Sequence, residues 1–248
     1  MKFDFTDKTV IVSGATKGIG QSIARHFQNL GAELILTGTN KEEIDRLNDN
    51  ADPIEKVKYY HLDFLNDGLI IEFIESIQRY SKIDILVNNA GINKIEYIYD
   101  FNTDDWENIM KINLTGPFRL IKDVGKRMKK QNTGKIINIA SIFGTITMAK
   151  RNAYTASKSG LIGLTKTASV DLAPYNVLVN SVSPGFVSTD LTRRILNEKE
   201  IIELASKVPL GRMGQPDEIA KLVLFLASEY NTYITGQNII IDGGYVNI

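Results

Sequence analysis

Tyr154 and Lys158 lie four residues apart in a segment whose pattern predicts a helix. At that spacing the two side chains project from one helix face. A free tyrosine has a pKa near ~10, and a nearby cation lowers this pKa by favouring the phenolate. Lowering it by about three units requires roughly 4 kcal/mol, much of which one lysine in a desolvated cleft can supply. The pair is a candidate proton donor and acceptor, and two solvated side chains are the alternative for the pair taken alone.

A glycine-rich segment follows the first predicted strand, residues 9–13, and precedes a helical pattern. Gly14, Gly18 and Gly20 permit a tight turn, a close approach of backbone N–H groups to a pyrophosphate, and close packing of helix on strand. The segment therefore predicts a dinucleotide-binding turn. Its glycine spacing differs from the common pattern of such turns, so a plain glycine-rich turn is the alternative.

The end of the second predicted strand, residues 34–37, carries no carboxylate to bind the ribose hydroxyls of NAD. Hydroxyls and cations that could bind a 2′-phosphate are present instead. These groups are those of Thr37, Thr39, Lys17 and Lys41. The sequence predicts NADP (NADPH) rather than NAD as the cofactor, although two glutamates follow closely.

Polar residues stand at the ends of further predicted strands. Asp63, after residues 57–62, could accept a hydrogen bond from adenine or cap the next helix. The apolar run 83–87 leads into a crevice-forming segment or a plain turn at residues 88–91. Ser141 follows the strand at 136–140, thirteen residues before Tyr154.

The order of the elements predicts an α/β fold. We expect a single-domain, doubly wound, Rossmann-type parallel sheet of seven strands over residues 1–248, with helices on both faces. A long helix, residues 103–130, contains Asn113, which needs a hydrogen-bonding partner in the middle of a helix. The amphipathic stretch 189–206 predicts a substrate lid near residues 188–210.

Composition excludes several classes of function. Lys plus Arg and Asp plus Glu both total 29, so no net positive field favours nucleic acid. The chain has no cysteine, and His26 and His61 lack a metal-ligand spacing, so no metal site is expected. No apolar run near the N-terminus suits a signal peptide or a membrane span. We expect a cytoplasmic protein without membrane or nucleic-acid partners.

Together these residues resemble the short-chain dehydrogenase/reductase family over nearly the whole chain. The resemblance implies a catalytic set of Asn113, Ser141, Tyr154 and Lys158. It also implies that residues 13–20 bind the pyrophosphate, that Asp63 contacts adenine, and that residues 184–189 hold the nicotinamide carboxamide. Ser13 stands where threonine is usual and keeps the hydroxyl. The expected cofactor-binding residues are Ser13, Gly14, Thr16, Lys17, Gly18, Ile19, Gly20, Thr37, Thr39, Asp63, Phe64, Asn89, Ala90, Gly91, Tyr154, Lys158, Pro184, Gly185, Val187 and Thr189.

The implied mechanism transfers a hydride from the nicotinamide to a carbonyl carbon. Tyr154 then protonates the carbonyl oxygen, and Ser141 holds that oxygen as charge develops. By the same resemblance Lys158 lowers the phenol pKa and bonds the nicotinamide ribose, while Asn113 holds a proton-relaying water.

Within the family, residues 161–165, 183–190 and 234–244 most resemble bacterial 3-oxoacyl-acyl-carrier-protein reductases. Such enzymes prefer NADPH and form homotetramers through helices like those at 104–130 and 152–173. A carrier protein would dock on basic side chains, for which Arg127, Lys129, Lys130 and Lys135 are candidates. A cationic helix end explains these four equally well, and residues 174–176 add no cation.

A 3-oxoacyl thioester is therefore the first expected substrate. The alternative is an NAD(P)-dependent sugar or polyol dehydrogenase, with a surface polysaccharide precursor as one substrate. Arg193 and Arg194 in the expected lid would suit a charged substrate under either hypothesis. A nucleotide-sensing scaffold without catalysis is a hypothesis of another class, against which the complete catalytic set argues.

Overall fold

The computed structural model describes residues 2–51, 56–189, 192 and 197–247. Its seven strands form one parallel sheet in the order β3-β2-β1-β4-β5-β6-β7. The strands are β1 (Thr9–Val12), β2 (Glu33–Gly38), β3 (Val57–His61), β4 (Ile85–Asn88), β5 (Gly134–Ile139), β6 (Val177–Pro184) and β7 (Asn238–Ile241). The predicted fold class and strand number are confirmed.

Helices connect the strands in the described part of the chain. They are α1 (Gly18–Asn29), α2 (Lys41–Asp49), α3 (Asp67–Ser76), α4 (Thr103–Met110), α5 (Gly116–Gln131), α6 (Asn152–Leu172), α7 (Glu198–Ser206) and α8 (Pro216–Ala227). Between α4 and α5, Lys111–Thr115 form a π-helical turn. The predicted helix at 103–130 thus changes its winding around Asn113, as π turns often do beside functional sites.

The sheet has a hydrophobic core on each face, because its central strands alternate their side chains. Val10 and Val12 of β1 pack with Phe27 of α1 in one core. Ile11 points the opposite way and packs with Phe73 of α3 in the other. Each such buried side chain contributes roughly 1.5–3 kcal/mol of hydrophobic stabilisation. The two cores hold the sheet rigid, so that the carboxyl ends of its strands are fixed relative to one another.

The predicted lid is only partly within the described residues. Arg193 and Arg194 lie outside them. Helix α7 begins with a capping box between Asn197 and Glu200 and buries none of its side chains. A helix with no side chain in the core is held mainly by its ends.

Candidate active site

The strand order reverses between β1 and β4, which places the carboxyl ends of these two strands beside a crevice. Ser13 follows β1 and bridges to the end of β4: its Oγ accepts the N–H groups of Asn89 (3.0 Å) and Ala90 (3.1 Å). Asn89 Nδ2 donates in return to the carbonyls of Ser13 (3.0 Å) and Gly14 (2.9 Å). The predicted residues at these two strand ends are therefore brought together by four hydrogen bonds.

The glycine turn is shaped as a dinucleotide requires. Gly14 has a φ of +64°, and a Cβ there would lie 2.9 Å from the Cα of Ala90. A Cβ on Gly20 would overlap the Gly14 carbonyl. Helix α1 begins at Gly18, and its first N–H groups have no intrahelical partner. The turn thus fits the pyrophosphate of a dinucleotide, with Thr189 on its other side, 3.7 Å from the Cβ position of Gly18.

The residues predicted to bind a 2′-phosphate differ in whether their side chains already have partners within the protein. Thr37 is buried and its Oγ1 accepts the Gly14 N–H (3.3 Å), so this hydroxyl supports the turn instead of facing a ligand. Lys41 is paired with Asp45 at 2.8 Å. Lys17, at the start of α1, is exposed and has no ion-pair partner among the described residues. Of the two cations, Lys17 is the freer to bind a phosphate.

Asp63, which is expected to contact adenine, and the expected cofactor-binding residue Phe64 follow the end of β3. Asp63 Oδ1 accepts the Leu65 N–H at 2.9 Å and forms a local turn. The alternative that Asp63 caps the next helix is wrong, because Asn66 caps α3 through the Leu69 N–H (3.2 Å). Phe64 is buried against Gly116, where a Cβ would lie 2.6 Å from its ring.

A buried chain of side-chain hydrogen bonds positions α6, which carries Tyr154 and Lys158. Asn88 of β4 donates to Asn138 of β5 (2.8 Å), and Asn138 donates to Thr165 of α6 (2.8 Å). All three side chains are buried. Because buried polar groups without partners are costly, this chain fixes the helix against the two strands.

Lys158 is the buried cation of the site. Its Nζ donates to the Ile139 carbonyl at 2.8 Å and lies 5.7 Å from the ring centre of Tyr154. Burial lowers the pKa of Lys158 to about 8. Gly91 packs beside it: a Cβ there would lie 3.4 Å from Nζ and 3.3 Å from Asn113 Oδ1. The close packing leaves no room for a larger residue at Gly91 without a shift of these polar groups.

Ser141 lies near enough to Tyr154 to affect its phenol, and its own Oγ accepts the Phe143 N–H at 3.1 Å. Burial raises the pKa of Tyr154 above its ordinary value, while the Ser141 side chain and the charge of Arg151 oppose that rise. The cation that lowers this pKa is thus Arg151, whereas the sequence pointed to Lys158. Lys158 still lies beneath the ring, where it shares a face of α6 with the phenol, as its spacing predicts.

Asn113 is fully buried in the π turn, where its side-chain amide makes three hydrogen bonds. Two join it to Ile92, after β4, and one to Ser157 of α6. Both amide hydrogens are donated, which leaves the side chain one oxygen lone pair for any water. The predicted need for a partner in mid-helix is met, and the water relay stays a prediction.

Pro184, Gly185, Val187 and Thr189, expected to hold the carboxamide, line the end of β6. Gly185 donates to the Ile241 carbonyl at 2.9 Å, and a Cβ on it would lie 2.7 Å from Asp242 Cβ. Val187 is buried, and the Thr189 hydroxyl lies 2.9 Å from that of Thr192. Of these residues, Thr189 lies beside the glycine turn, 3.7 Å from the Cβ position of Gly18.

Sequence reasoning missed an aromatic wall and a cation. The ring of Phe143 meets those of Tyr154 (6.4 Å) and Phe186 (6.3 Å) edge-on, and Phe186 meets Tyr245 at 5.0 Å. The Arg151 guanidinium lies over the Phe143 ring at 5.1 Å. The position of Arg151, one helical turn before Tyr154, could have indicated its role from the sequence. No local pattern in the sequence marks Phe186 or Tyr245.

The basic side chains considered for carrier-protein docking are mostly engaged within the molecule. Arg127 donates to the carbonyls of Ile77 (2.7 Å) and Tyr80. Lys129 lies over the ring of Tyr175 at 4.5 Å. Lys135 donates to the Asn231 carbonyl, and burial lowers its pKa. Only Lys130 of the four has no such contact among the described residues.

The described residues contain no cluster of His, Cys, Asp and Glu side chains that could hold a metal ion. Among the same residues, no helix combines the length and the apolar character that crossing a membrane would demand.

Comparisons with known proteins match this chain over nearly its full length. A family model described as enoyl-(acyl carrier protein) reductase matches residues 14–246. A 3-oxoacyl-[acyl-carrier-protein] reductase FabG of Thermotoga maritima is 40% identical over 241 residues, which cover 96% of this chain and 98% of the relative.

Two solved structures show the same likeness in three dimensions. A short-chain type dehydrogenase/reductase from Mycobacterium marinum is 32% identical with a TM-score of 0.89, and the match covers 98% of this chain and 97% of that one. A gluconate 5-dehydrogenase from Burkholderia cenocepacia, in complex with NADP and tartrate, is 30% identical with a TM-score of 0.90. The match covers 99% of this chain and 98% of that one. The chain therefore belongs to the short-chain dehydrogenase/reductase family of NAD(P)-dependent oxidoreductases.

Proposed function

We propose that this enzyme uses NADPH to reduce a carbonyl to a secondary alcohol, with a 3-oxoacyl thioester as its first substrate. The observation that carries the proposal is the grouping of Tyr154 with Ser141 and with the buried Lys158, whose Nζ lies 5.7 Å from the Tyr154 ring centre. When bound, the nicotinamide cofactor supplies the hydride. Every other group that the reaction requires belongs to these side chains.

Tyr154 donates its phenolic proton to the carbonyl oxygen of the substrate. Its raised pKa keeps the phenol protonated at neutral pH, which suits a proton donor. Ser141 Oγ donates a hydrogen bond to the same oxygen and stabilises its developing charge. Lys158, with a pKa of about 8, holds a proton at neutral pH and gives positive charge to a site where the phenolate forms.

Three observations support NADPH. The end of β2 carries no carboxylate to repel a 2′-phosphate, and Lys17 is exposed beside the glycine turn. The related gluconate 5-dehydrogenase was solved with NADP bound. We assign the 2′-phosphate to Lys17 and Thr39, and the supporting role beneath the turn to Thr37.

The thioester assignment is supported by the relatives. Curated 3-oxoacyl-[acyl-carrier-protein] reductases are 35–40% identical to this chain over nearly its full length. The internal contacts of Arg127, Lys129 and Lys135 argue against docking of a carrier protein on those three side chains. We therefore place the acyl chain in the cleft without assigning a carrier-protein surface.

We also propose that α7 closes over the cleft as part of the lid expected near residues 188–210, because α7 buries no side chain in either core. A homotetramer is proposed through α4, α5 and α6. These helices leave Trp106, Phe118 and Val170 exposed by 40%, 48% and 73%, and such apolar surface is typical of subunit contacts. Cytoplasmic location stays a prediction.

A second candidate is a sugar-acid or polyol dehydrogenase. It is favoured by the 30% identity and the TM-score of 0.90 to the gluconate 5-dehydrogenase. The catalytic groups proposed above serve either substrate, so the two candidates differ only in what fills the cleft.

The test follows NADPH oxidation by absorbance, with acetoacetyl thioester and a panel of keto-sugars and keto-sugar acids, each repeated with NADH. We expect the thioester with NADPH to be fastest. Tyr154→Phe should lower kcat about 10²–10⁴-fold. Tyr233→Phe is the matched control, because Tyr233 is 96% exposed. Faster turnover of a keto-sugar would contradict the thioester assignment and favour a sugar substrate. An unchanged kcat in Tyr154→Phe would overturn the mechanism.

A further inference from the structure

Arg151 is a cation of the cleft that the proposed reaction does not use. It precedes α6 and lies one helical turn before Tyr154. Its guanidinium lies 5.1 Å from the centre of the Phe143 ring, and the Tyr154 ring meets the same ring edge-on at 6.4 Å. Arg151 and Tyr154 therefore contact the same aromatic side chain, and the Arg151 charge acts on the Tyr154 phenol.

The guanidinium is half-buried, yet no described carboxylate pairs with it and no described carbonyl accepts from it. The neighbouring loop contains Glu96, but the Glu96 carboxylate accepts the Tyr97 N–H at 2.9 Å. Because the side chain is half-buried, its charge is partly desolvated, and this burial lowers the pKa of Arg151. A partly desolvated arginine with five free N–H donors is well suited to bind an anion.

The neighbouring Lys150 is different. Its Nζ lies 4.4 Å from the centre of the Tyr97 ring, away from the Phe143 and Tyr154 pair. The two adjacent cations thus face different aromatic groups. Only Arg151 acts on the tyrosine that protonates the substrate.

We propose that Arg151 binds the carboxylate of a free 3-oxo acid while Tyr154 engages its 3-oxo group, so that the enzyme also reduces free 3-oxo acids. The inference rests on the proposed carbonyl reduction. In a 3-oxo acid the carboxylate is separated from the carbonyl by one methylene, so the two groups that bind it must be neighbours. Arg151 and Tyr154 are neighbours, because they lie three residues apart at the start of α6. The planar guanidinium can donate two parallel hydrogen bonds to a carboxylate, whereas a thioester presents one neutral carbonyl oxygen.

The reaction balances without a further reactant. The 3-carbonyl carbon gains a hydride and its oxygen gains the Tyr154 proton, which solvent restores. NADPH is oxidised to NADP⁺, and the product is the 3-hydroxy acid. The carboxylate stays ionised and unchanged throughout, so Arg151 is a substrate-positioning residue of this reaction.

The experiment measures kcat and KM with NADPH for acetoacetate and for a neutral acetoacetyl thioester, in the full-length wild type, Arg151→Gln, Arg151→Lys and Lys150→Gln. We expect wild type to reduce both substrates. Arg151→Gln should raise KM for acetoacetate about tenfold or more, because a hydrogen bond to a charged group is lost. The rise for the thioester should be several times smaller. Arg151→Lys should recover part of the acetoacetate KM, and Lys150→Gln should not alter the ratio of the two KM values.

Each outcome decides one of the two proposals. Reduction of the thioester but not of acetoacetate by wild type would overturn the role of Arg151 and leave the proposed function standing. Equal changes of KM for both substrates in Arg151→Gln would also overturn it, since a general loss of structure would act on both. Absence of NADPH oxidation with either substrate would count against the proposed function itself.

Discussion

The side-chain amide of Asn113 pairs with both backbone groups of Ile92. Nδ2 donates to the Ile92 carbonyl at 2.9 Å, and Oδ1 accepts the Ile92 N–H at 2.8 Å. A further hydrogen bond, from Nδ2 to Ser157 Oγ at 3.1 Å, reaches α6 one residue before Lys158. One amide therefore joins the π turn, the segment after β4 and the helix that carries the proposed proton donor.

Asn113→Ala should destabilise the protein by about 3 kcal/mol, because it removes three hydrogen bonds, two of them to the Ile92 backbone. Urea unfolding measures this loss. Asn66→Ala is the matched control: Asn66 caps α3 with one exposed hydrogen bond, so its loss should cost about 1 kcal/mol. Equal costs for the two variants would contradict the linking role of Asn113.

Gly20→Ala should abolish cofactor binding, since the new Cβ would overlap the Gly14 carbonyl oxygen and force the turn open. Fluorescence titration with NADPH measures the binding. Gly163→Ala is the control, because a Cβ at this position of α6 has no neighbour within 4 Å. That variant should bind the cofactor normally and gain about 0.5–1 kcal/mol of stability from helix propensity. Normal binding by Gly20→Ala would refute the proposed pyrophosphate turn.

Lys158→Met should be more stable than the wild type in the absence of cofactor, and the difference should shrink as the pH rises. The pKa of Lys158 falls from 10.5 to about 8 on folding, so between these values the unfolded chain binds more protons and native stability rises with pH. From pH 7 to pH 9.5 the difference in unfolding free energy should narrow by about 2 kcal/mol. Urea unfolding of both proteins at the two pH values measures this difference. If the difference does not depend on pH, folding does not lower the pKa of Lys158.

Lys17→Gln should lower the ratio of kcat/KM with NADPH to that with NADH about tenfold or more, because a charge-assisted hydrogen bond to the 2′-phosphate is lost. Lys41→Gln is the matched substitution. Its ammonium is already paired with Asp45 at 2.8 Å, so the ratio should change less. If the ratio is the same in wild type and Lys17→Gln, the 2′-phosphate is held elsewhere.

The pattern of the chain alone determined the fold class and the seven strands, whereas the family was indicated by the resemblance of its motifs. These follow from local rules: apolar runs and helical spacing mark the elements, and alternation of strands and helices implies a parallel sheet. The spacing of Tyr154 and Lys158 likewise placed both on one face of α6, because helix geometry relates residues four apart. The polar residues at the strand ends predicted the crevice, because the carboxyl ends of parallel strands lie at one edge of the sheet.

Only the tertiary structure decided which polar groups are free and which are occupied. Thr37 lies under the glycine turn, and Asn113 pairs with Ile92, twenty-one residues away. The charge of Arg151 acts on the Tyr154 phenol, for which the sequence pointed to Lys158. Such contacts depend on how side chains from distant segments pack and on which charges burial desolvates, and neither property repeats along the chain with a period that a sequence pattern could reveal.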